Sequence, residues 1–518
     1  MAAGPLDPGG ELRDLASDCV HCGFCLPACP TYQLWGEEMD SPRGRIHLIS
    51  QILDSGQGGA AAGEHFDRCL GCMACMTACP SGVQYDQLIE AARSWAEPGP
   101  SGLPGAAALD EAWQAAPAPL PARTRRDRAV RAAIFATFPY ANRLRALLGP
   151  LRAAQLTGLD RVAAHSTLLA RIAPEAAAAL AVAPAPNRRA GRLRPRGGRM
   201  PARADASRAD ANTAGANWAG AGQTGGRQAG PAGLLARLRS RQERMPARTP
   251  AAGPRRAVVG MLTGCVQQVF FPQVNAATVR VLSAEGCDVI CPPGQGCCGA
   301  LSLHGGRRAE AAAFARQTIE TFEQAGVDTV IVNAAGCGSA MKEYGRLLAG
   351  DPTWAERAAA FSGRVRDLSE YLAELGPAAP RAELDLTIAY HDACHLAHAQ
   401  RITAQPRRLL GEIPGVALVD IPDGGTCCGS AGIYNLVQPE AAAELGARKA
   451  NAVLSTGADL LVSANPGCSL QIAKALAAAG HPLPVAHVAE VLDASIRALP
   501  AQALTARENE NKPRTGPG

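Results

Sequence analysis

One pattern constrains this chain more than any other, because it occurs twice. Residues 19–30 read C-V-H-C-G-F-C-L-P-A-C-P, and residues 69–80 read C-L-G-C-M-A-C-M-T-A-C-P. Both keep the spacing C-x2-C-x2-C-x3-C-P, which is that of thiolates around a cubane iron–sulfur cluster. Three thiolates at intervals of three close one tight loop, and the fourth, one residue further along and followed by Pro, turns away. In two-cluster chains with this run the fourth thiolate serves the other cluster. Cys19, Cys22, Cys25 and Cys79 are therefore expected around one [4Fe-4S] cluster, and Cys69, Cys72, Cys75 and Cys29 around a second. Zinc sites usually draw on two separated C-x2-C pairs, and disulfide frameworks belong to small secreted domains, so neither explains two matched runs.

The chain has 518 residues, of which 47% are hydrophobic and only 4% aromatic, yet it carries 18 Cys. That length suits about three domains. The opening residues have neither a basic start nor an apolar stretch, so no leader peptide is expected. No segment approaches the length of apolar sequence that spans a bilayer. Thiolate-held clusters favour a reducing compartment. The expected location is the cytoplasm, with peripheral contact at the inner face of the cell membrane as a further possibility.

Charge is distributed unevenly. Between residues 183 and 256 lie 16 Arg against Asp205, Asp210 and Glu243, a local balance of +13, which leaves −8 for the rest of a chain whose net charge is +5. This stretch is rich in Arg, Ala, Gly and Pro and too poor in large apolar residues to form a core. It lacks interleaved aromatics and any nucleic-acid-binding signature. A disordered linker is expected, with no nucleic-acid partner.

Between the two Cys runs, Ser41 is a candidate N-cap with Pro42 at the first helical position, and Ile46, Ile49, Ile52 and Leu53 recur at helical spacing. His47 falls on that helix and is expected to be a packing or surface residue rather than a ligand. A second helix follows Pro80. Residues 124–182 read helical, with Ile134, Phe135, Phe138, Leu144, Leu147 and Leu148 as an apolar set expected to pack on the cluster domain.

From Arg255 onward the chain is duplicated. Cys265 matches Cys394, Cys297 and Cys298 match Cys427 and Cys428, and Cys337 matches Cys468, at offsets of 129, 130, 130 and 131 residues. Four recurring Cys in each half read as metal ligands. Apolar runs at 257–262, 287–290 and 327–332, then at 386–390, 416–421 and 459–463, read as strands, with helical patterns such as 307–325 between them. Alternating strands and helices imply parallel sheets, whose sites collect beyond the carboxyl ends of the strands. The repeated Cys follow those ends. In each adjacent pair the next residue, Gly299 or Gly429, lets backbone approach closely. Four thiolates per half suit either an iron–sulfur cluster or zinc. Cys287 and Cys291 have no counterparts in the second half and are expected not to be ligands. His391, His395 and His398 lie near Cys394 and are as readily hydrogen-bond partners as ligands.

The expected fold is α+β and multi-domain, with an N-terminal helical two-cluster domain followed by duplicated α/β domains with parallel sheets. Its boundaries are a two-[4Fe-4S] ferredoxin-like domain over 1–97, a helical segment over 98–183, the disordered linker over 184–254, cysteine-rich domains over 255–380 and 381–498, and a disordered tail over 499–518.

With these motifs in place, the chain resembles the iron–sulfur subunits of bacterial glycolate oxidase, within a wider family having two ferredoxin runs and two "CCG" cysteine-rich domains. The resemblance covers residues 15–95 and 255–495. It rests on C-V-H-C-G-F-C-L-P-A-C-P-T-Y, S-P-R-G-R-I, C-L-G-C-M-A-C-M-T-A-C-P-S-G-V, L-T-G-C-V-Q, Q-G-C-C-G-A-L-S-L-H and N-A-A-G-C-G-S-A-M-K-E-Y-G. One departure stands out: many relatives close each half with C-x-x-C, whereas here the last position is Ala340 or Gln471, so neither half offers a fifth thiol at that position. The resemblance implies electron transfer from an FAD-bearing partner that oxidises glycolate to glyoxylate, toward a quinone-linked acceptor. A related donor such as lactate or glycerol 3-phosphate is the alternative. No P-loop or Ser/His/Asp signature is present, so the organic step is expected on another subunit.

Overall fold

The computed structural model describes residues 10–97, 120, 123–157, 245–422 and 425–505. The expected linker up to position 244, residues 158–183 of the helical segment and most of the expected tail lie outside these residues.

The N-terminal part is helical because its two Cys loops leave only short segments to bury. Ser41 Oγ accepts from the Gly44 N–H at 3.0 Å and caps α1 (Pro42–Ser55), with Pro42 in its first turn as expected. The apolar stripe of α1, Ile46, Ile49, Ile52 and Leu53, packs against Phe66, Trp95 and the Leu88 and Ile89 side chains of α2 (Tyr85–Ser94). Ile49, Leu88 and Ile89 are fully buried, each worth about 1.5–3 kcal/mol of apolar burial. His47 is exposed.

Two further helices follow, α3 (Arg125–Thr137) and α4 (Ala141–Thr157). Among the described residues, their buried apolar side chains pack on the duplicated halves rather than on the cluster domain. Ile134 and Phe135 pack on Leu301, Ile433 and Leu436, and Leu144 and Leu148 pack on Val266, Val269 and Phe270. The side facing the cluster domain is ionic instead: Arg123 pairs with Asp67 and Glu97, and Arg131 reaches the same two carboxylates. The apolar surface of the cluster domain is already closed by its own helices, so the new apolar stripe finds its cover on the duplicated halves.

The first half forms a five-stranded sheet in the order β1-β3-β2-β4-β5, from β1 (Arg248–Thr249), β2 (Ala257–Met261), β3 (Cys287–Ile290), β4 (Thr329–Val332) and β5 (Val365–Asp367). All pairs are parallel except β1 with β3. The ordered first half thus begins before Arg255, correcting the end of the expected linker. Two residues are too short to read as a strand, and β1 is held by Asp288, whose carboxylate accepts from Arg248 Nη2 at 2.8 Å and from the Ala251 N–H at 2.9 Å.

The second half gives a parallel sheet in the order β7-β6-β8-β9, from β6 (Leu386–His391), β7 (Val416–Asp420), β8 (Leu460–Ser463) and β9 (Val485–Ala486). Apart from β1, each half runs second, first, third, fourth strand, so the duplication extends to topology. Helices α5 (Pro272–Ala284) and α6 (Arg308–Gln324) follow β2 and the adjacent Cys pair of the first half, and α7 (Ala335–Lys342) and α8 (Leu368–Leu375) follow β4 and β5. In the second half α9 (Ala404–Gly411), α10 (Pro439–Leu454), α11 (Pro466–Ala478) and α12 (Val488–Ile496) take the same places. Both α8 and α12 open with a capping box, Asp367 with Glu370 and His487 with Glu490.

The halves exchange helices across their junction. The first helix of each packs on the last helix of the other, α5 on α12 and α9 on α8. Arg280 makes a two-pronged ion pair with Asp493 at 2.7 and 2.8 Å, and the Ala335 N–H donates to the Ala464 carbonyl at 3.0 Å.

Candidate iron–sulfur and cysteine-rich sites

The two N-terminal Cys loops share a backbone plan. Each takes a left-handed conformation at the second and fourth positions after its first Cys: His21 and Gly23 in one, Gly71 and Met73 in the other. Alternation of this kind turns backbone N–H groups toward one centre, and the Gly71 N–H donates to Cys69 Sγ at 3.3 Å.

The loops interlock around two cavities. The outer one is lined by Cys19, Cys22 and Cys25 of the first run and by Cys79 of the second. The inner one is lined by Cys69, Cys72 and Cys75 of the second run and by Cys29 of the first. Cys75 borders both. Cys22 is exposed, and the outer loop carries Val20 and Phe24, 69% and 67% exposed.

A buried charge network stands beside the inner cavity. The Asp40 carboxylate accepts from Arg45 Nη2 at 3.2 Å and Arg68 Nη1 at 3.1 Å and lies 2.9 Å from His65 Nδ1. Its carbonyl accepts from Thr31 Oγ1 at 2.7 Å, and Cys29 Sγ lies 3.2 Å from that hydroxyl and 3.6 Å from the carbonyl. Asp40 and Arg45 are fully buried. Burial pushes the Cys72 and Cys75 thiols well above their usual range. It acts on Cys69 too, but there Arg45 and Arg93 outweigh it and hold the thiol below that range.

In the duplicated halves the thiols touch one another. Cys265 and Cys297 Sγ are 3.6 Å apart. Hydrogen bonds from Cys297 and Cys337 hold the Cys298 thiol well below its usual range, and Cys427 and Cys468 do the same for Cys428. Each quartet, Cys265, Cys297, Cys298 and Cys337 or Cys394, Cys427, Cys428 and Cys468, is assembled from residues that follow the carboxyl ends of three neighbouring parallel strands. Gly299 and Gly429 explain the residue after each pair. Their φ angles are 82° and 84°, and an added Cβ would stand 2.9 Å from the Ala311 carbonyl oxygen of α6 or 2.7 Å from that of Ala442 in α10.

The profile of the 4Fe-4S dicluster domain matches residues 15–83, and that of the CCG cysteine-rich domain matches 259–342 and again 388–473. A third profile, the linker region of the glycolate oxidase iron–sulfur subunit, matches residues 126–182. The probable glycolate oxidase iron–sulfur subunit of Bacillus subtilis (strain 168) is 34% identical over 89% of this chain and 88% of its own length. The glycolate oxidase iron–sulfur subunit of Escherichia coli (strain K12) is 32% identical over 90% of this chain and 91% of its own. This chain belongs to the glycolate oxidase iron–sulfur subunit family. Lactate utilization protein A of Exiguobacterium sp. is 31% identical over 98% of its own length but only 46% of this chain.

Membership makes this an iron–sulfur protein with a two-cluster 4Fe-4S domain and two CCG domains. The donor chemistry fits: five sulfurs line the outer N-terminal cavity and four the inner one, with Cys75 common to both, and the buried thiols need a cation beside their ionised form. The departure from the family pattern is also structural. Gln471 donates through Nε2 to the Ala442 carbonyl at 2.8 Å, and Ala340 is buried in the first core. No helix among the described residues is long and apolar enough to cross a membrane.

The remaining expected residues separate. Cys287 lies in β3 facing the Tyr371 hydroxyl at 3.8 Å, and Cys291 follows that strand, buried. Of the three His near Cys394, only His391 turns into the second quartet. His395 Nε2 lies 3.0 Å from the Gly71 carbonyl and His398 Nδ1 2.9 Å from Thr77 Oγ1, both on the second N-terminal Cys loop. The inner cavity therefore abuts the second half: Leu70, Cys72 and Ala74 share one apolar cluster with Cys427, Tyr434, Ala442 and Leu445, and Cys394 packs against it. Arg45 lies within the S-P-R-G-R-I motif, and motif reading gave it no role of its own. Its signal was a charged residue on the buried stripe of α1, in register with Ile49 and Ile52.

Proposed function

We propose that this chain is the electron-transfer subunit of a glycolate-oxidising complex, serving an FAD-bearing subunit that converts glycolate to glyoxylate and a quinone-linked acceptor. In this reading Cys19, Cys22, Cys25 and Cys79 hold an outer [4Fe-4S] cluster, and Cys69, Cys72, Cys75 and Cys29 an inner one. The CCG quartets, Cys265, Cys297, Cys298 and Cys337 and Cys394, Cys427, Cys428 and Cys468, hold further metal. When bound, the clusters supply one-electron chemistry.

The observation that carries the reading is the pair of cavities that share Cys75, one opening beside exposed Val20 and Phe24, the other set against the second half. A partner meets the chain at the outer loop, where Cys22 is exposed. Farther in, Leu70, Ala74, Tyr434 and Leu445 exclude water, and Asp40, Arg45 and Arg68 fix the local charge. The glycolate assignment is favoured by the match to the glycolate oxidase linker region and by near full-length similarity to two glycolate oxidase subunits.

The test is anaerobic purification with the partner subunits, followed by assays on glycolate, D-lactate and glycerol 3-phosphate. Glycolate is expected to reduce the clusters fastest, seen as a paramagnetic signal within turnover. Preference for either other donor overturns the substrate. Protein free of iron overturns the electron-transfer reading itself.

A further inference from the structure

The two halves repeat four Cys positions, yet their centres are not the same, and the difference is one buried imidazole. His391 is the last residue of β6, in register with Ser463 of β8. It is 1% exposed, and among the described residues its ring nitrogens find no oxygen or nitrogen partner; the polar group beside them is the Cys428 thiol. A buried imidazole that faces only thiols needs a reason. Here a ring nitrogen, Cys428 Sγ and Cys468 Sγ all lie within 4.8 Å of one another. The offset that takes Cys394 to Cys265 takes His391 to Leu262, a core residue of the first half.

We propose that His391 is a metal ligand, and that the second half holds a single tetrahedral ion of the zinc type through His391, Cys428, Cys468 and one further thiolate of its quartet. The first half has Leu262 at the matching position, so its recurring donors are all sulfur. Ligands about 2.0–2.3 Å from one zinc ion stand roughly 3.5–3.8 Å apart, and a cluster of donors already within 4.8 Å reaches that spacing with small side-chain shifts. A neutral imidazole supplies a lone pair without adding charge, which eases burial of several thiolates in one place. Asn465 Nδ2 donates to Cys468 Sγ at 3.4 Å and steadies that ligand; the matching residue of the first half is Ala334.

This inference rests on the reading of the second quartet as a metal centre, and the experiment separates the two. The full chain is purified without oxygen, its iron and zinc are measured, and X-ray absorption is recorded at the zinc edge. About one zinc per chain with both sulfur and imidazole scattering is expected. His391→Leu, a side chain the first half already accommodates, is expected to lose the imidazole contribution and at least tenfold in zinc retention against a chelator. The reduced-cluster paramagnetic signal of the N-terminal domain, kept by the variant, shows that it folds. His391→Cys is expected to keep zinc with sulfur scattering only. Sulfur-only scattering in the unaltered chain, iron in place of zinc, or His391→Leu holding zinc as tightly as the unaltered chain overturns the proposal. Cys428→Ser without loss of any metal instead overturns the reading beneath it.

Discussion

The charge network beside the inner cavity makes opposite predictions for two substitutions of nearly the same size. Cys29 Sγ lies 3.6 Å from the Asp40 carbonyl; for a carboxylate at about 8 Å from charge held at that thiolate, and an effective dielectric of about 20, a unit charge is worth about 2 kcal/mol. On a one-electron couple that is about 90 mV. Asp40→Asn removes a negative charge, so reduction of the inner cluster becomes easier and its potential rises by about that much. Arg45→Met removes a positive charge that reaches Cys29 through Thr31 at 3.2 Å, and the potential falls by a similar amount. Both variants also leave part of a buried ion network unpaired, at about 3–5 kcal/mol of stability, so stability drops in both while potential moves in opposite directions. Potentiometric titration followed by paramagnetic resonance reads the first effect, with the outer cluster as internal reference, and denaturant unfolding of the same samples reads the second. Shifts of the same sign, or both smaller than about 20 mV, refute the electrostatic reasoning.

Three further outcomes follow from the packing. Gly44→Ala puts a Cβ 2.0 Å from the Glu38 carbonyl oxygen; because backbone cannot yield cheaply, a loss of about 1–3 kcal/mol or more is expected in thermal unfolding, with iron lost from the N-terminal domain first. Cys287→Ala and Cys291→Ala are expected to leave iron and zinc content unchanged by elemental analysis, since neither thiol reaches a quartet. Burial raises the Asp367 carboxyl from 3.8 to about 6, so the folded chain holds a proton that the unfolded chain releases across that interval, and stability falls as pH rises through about 6, by about 3 kcal/mol in all. Asp367→Asn keeps an acceptor for the Ser369 N–H and is expected to be more stable than the unaltered chain at pH 8, with the gain shrinking toward pH 5.5 in chemical denaturation; a gain independent of pH counts against the assignment.

Sequence alone determined what is local or periodic. Spacing within each Cys run dictates loop geometry, the offsets between halves expose the duplication, and apolar runs place the six longer strands whose ends carry the repeated Cys. The Ser41–Pro42 start of α1 and the need for Gly after each adjacent Cys pair were legible for the same reason, since each is set by neighbours a few residues away. Tertiary structure decided the rest. The short strands β1, β5 and β9 exist only because a neighbouring strand offers a ladder, and no pattern of two or three residues announces that. Which of His391, His395 and His398 enters the quartet depends on where β6 ends, and the other two are recruited by a loop more than 300 residues away in sequence. The apolar face of α3 and α4 was visible, but its target was not: a stripe specifies that burial will occur, while complementary surfaces elsewhere in the chain decide against what.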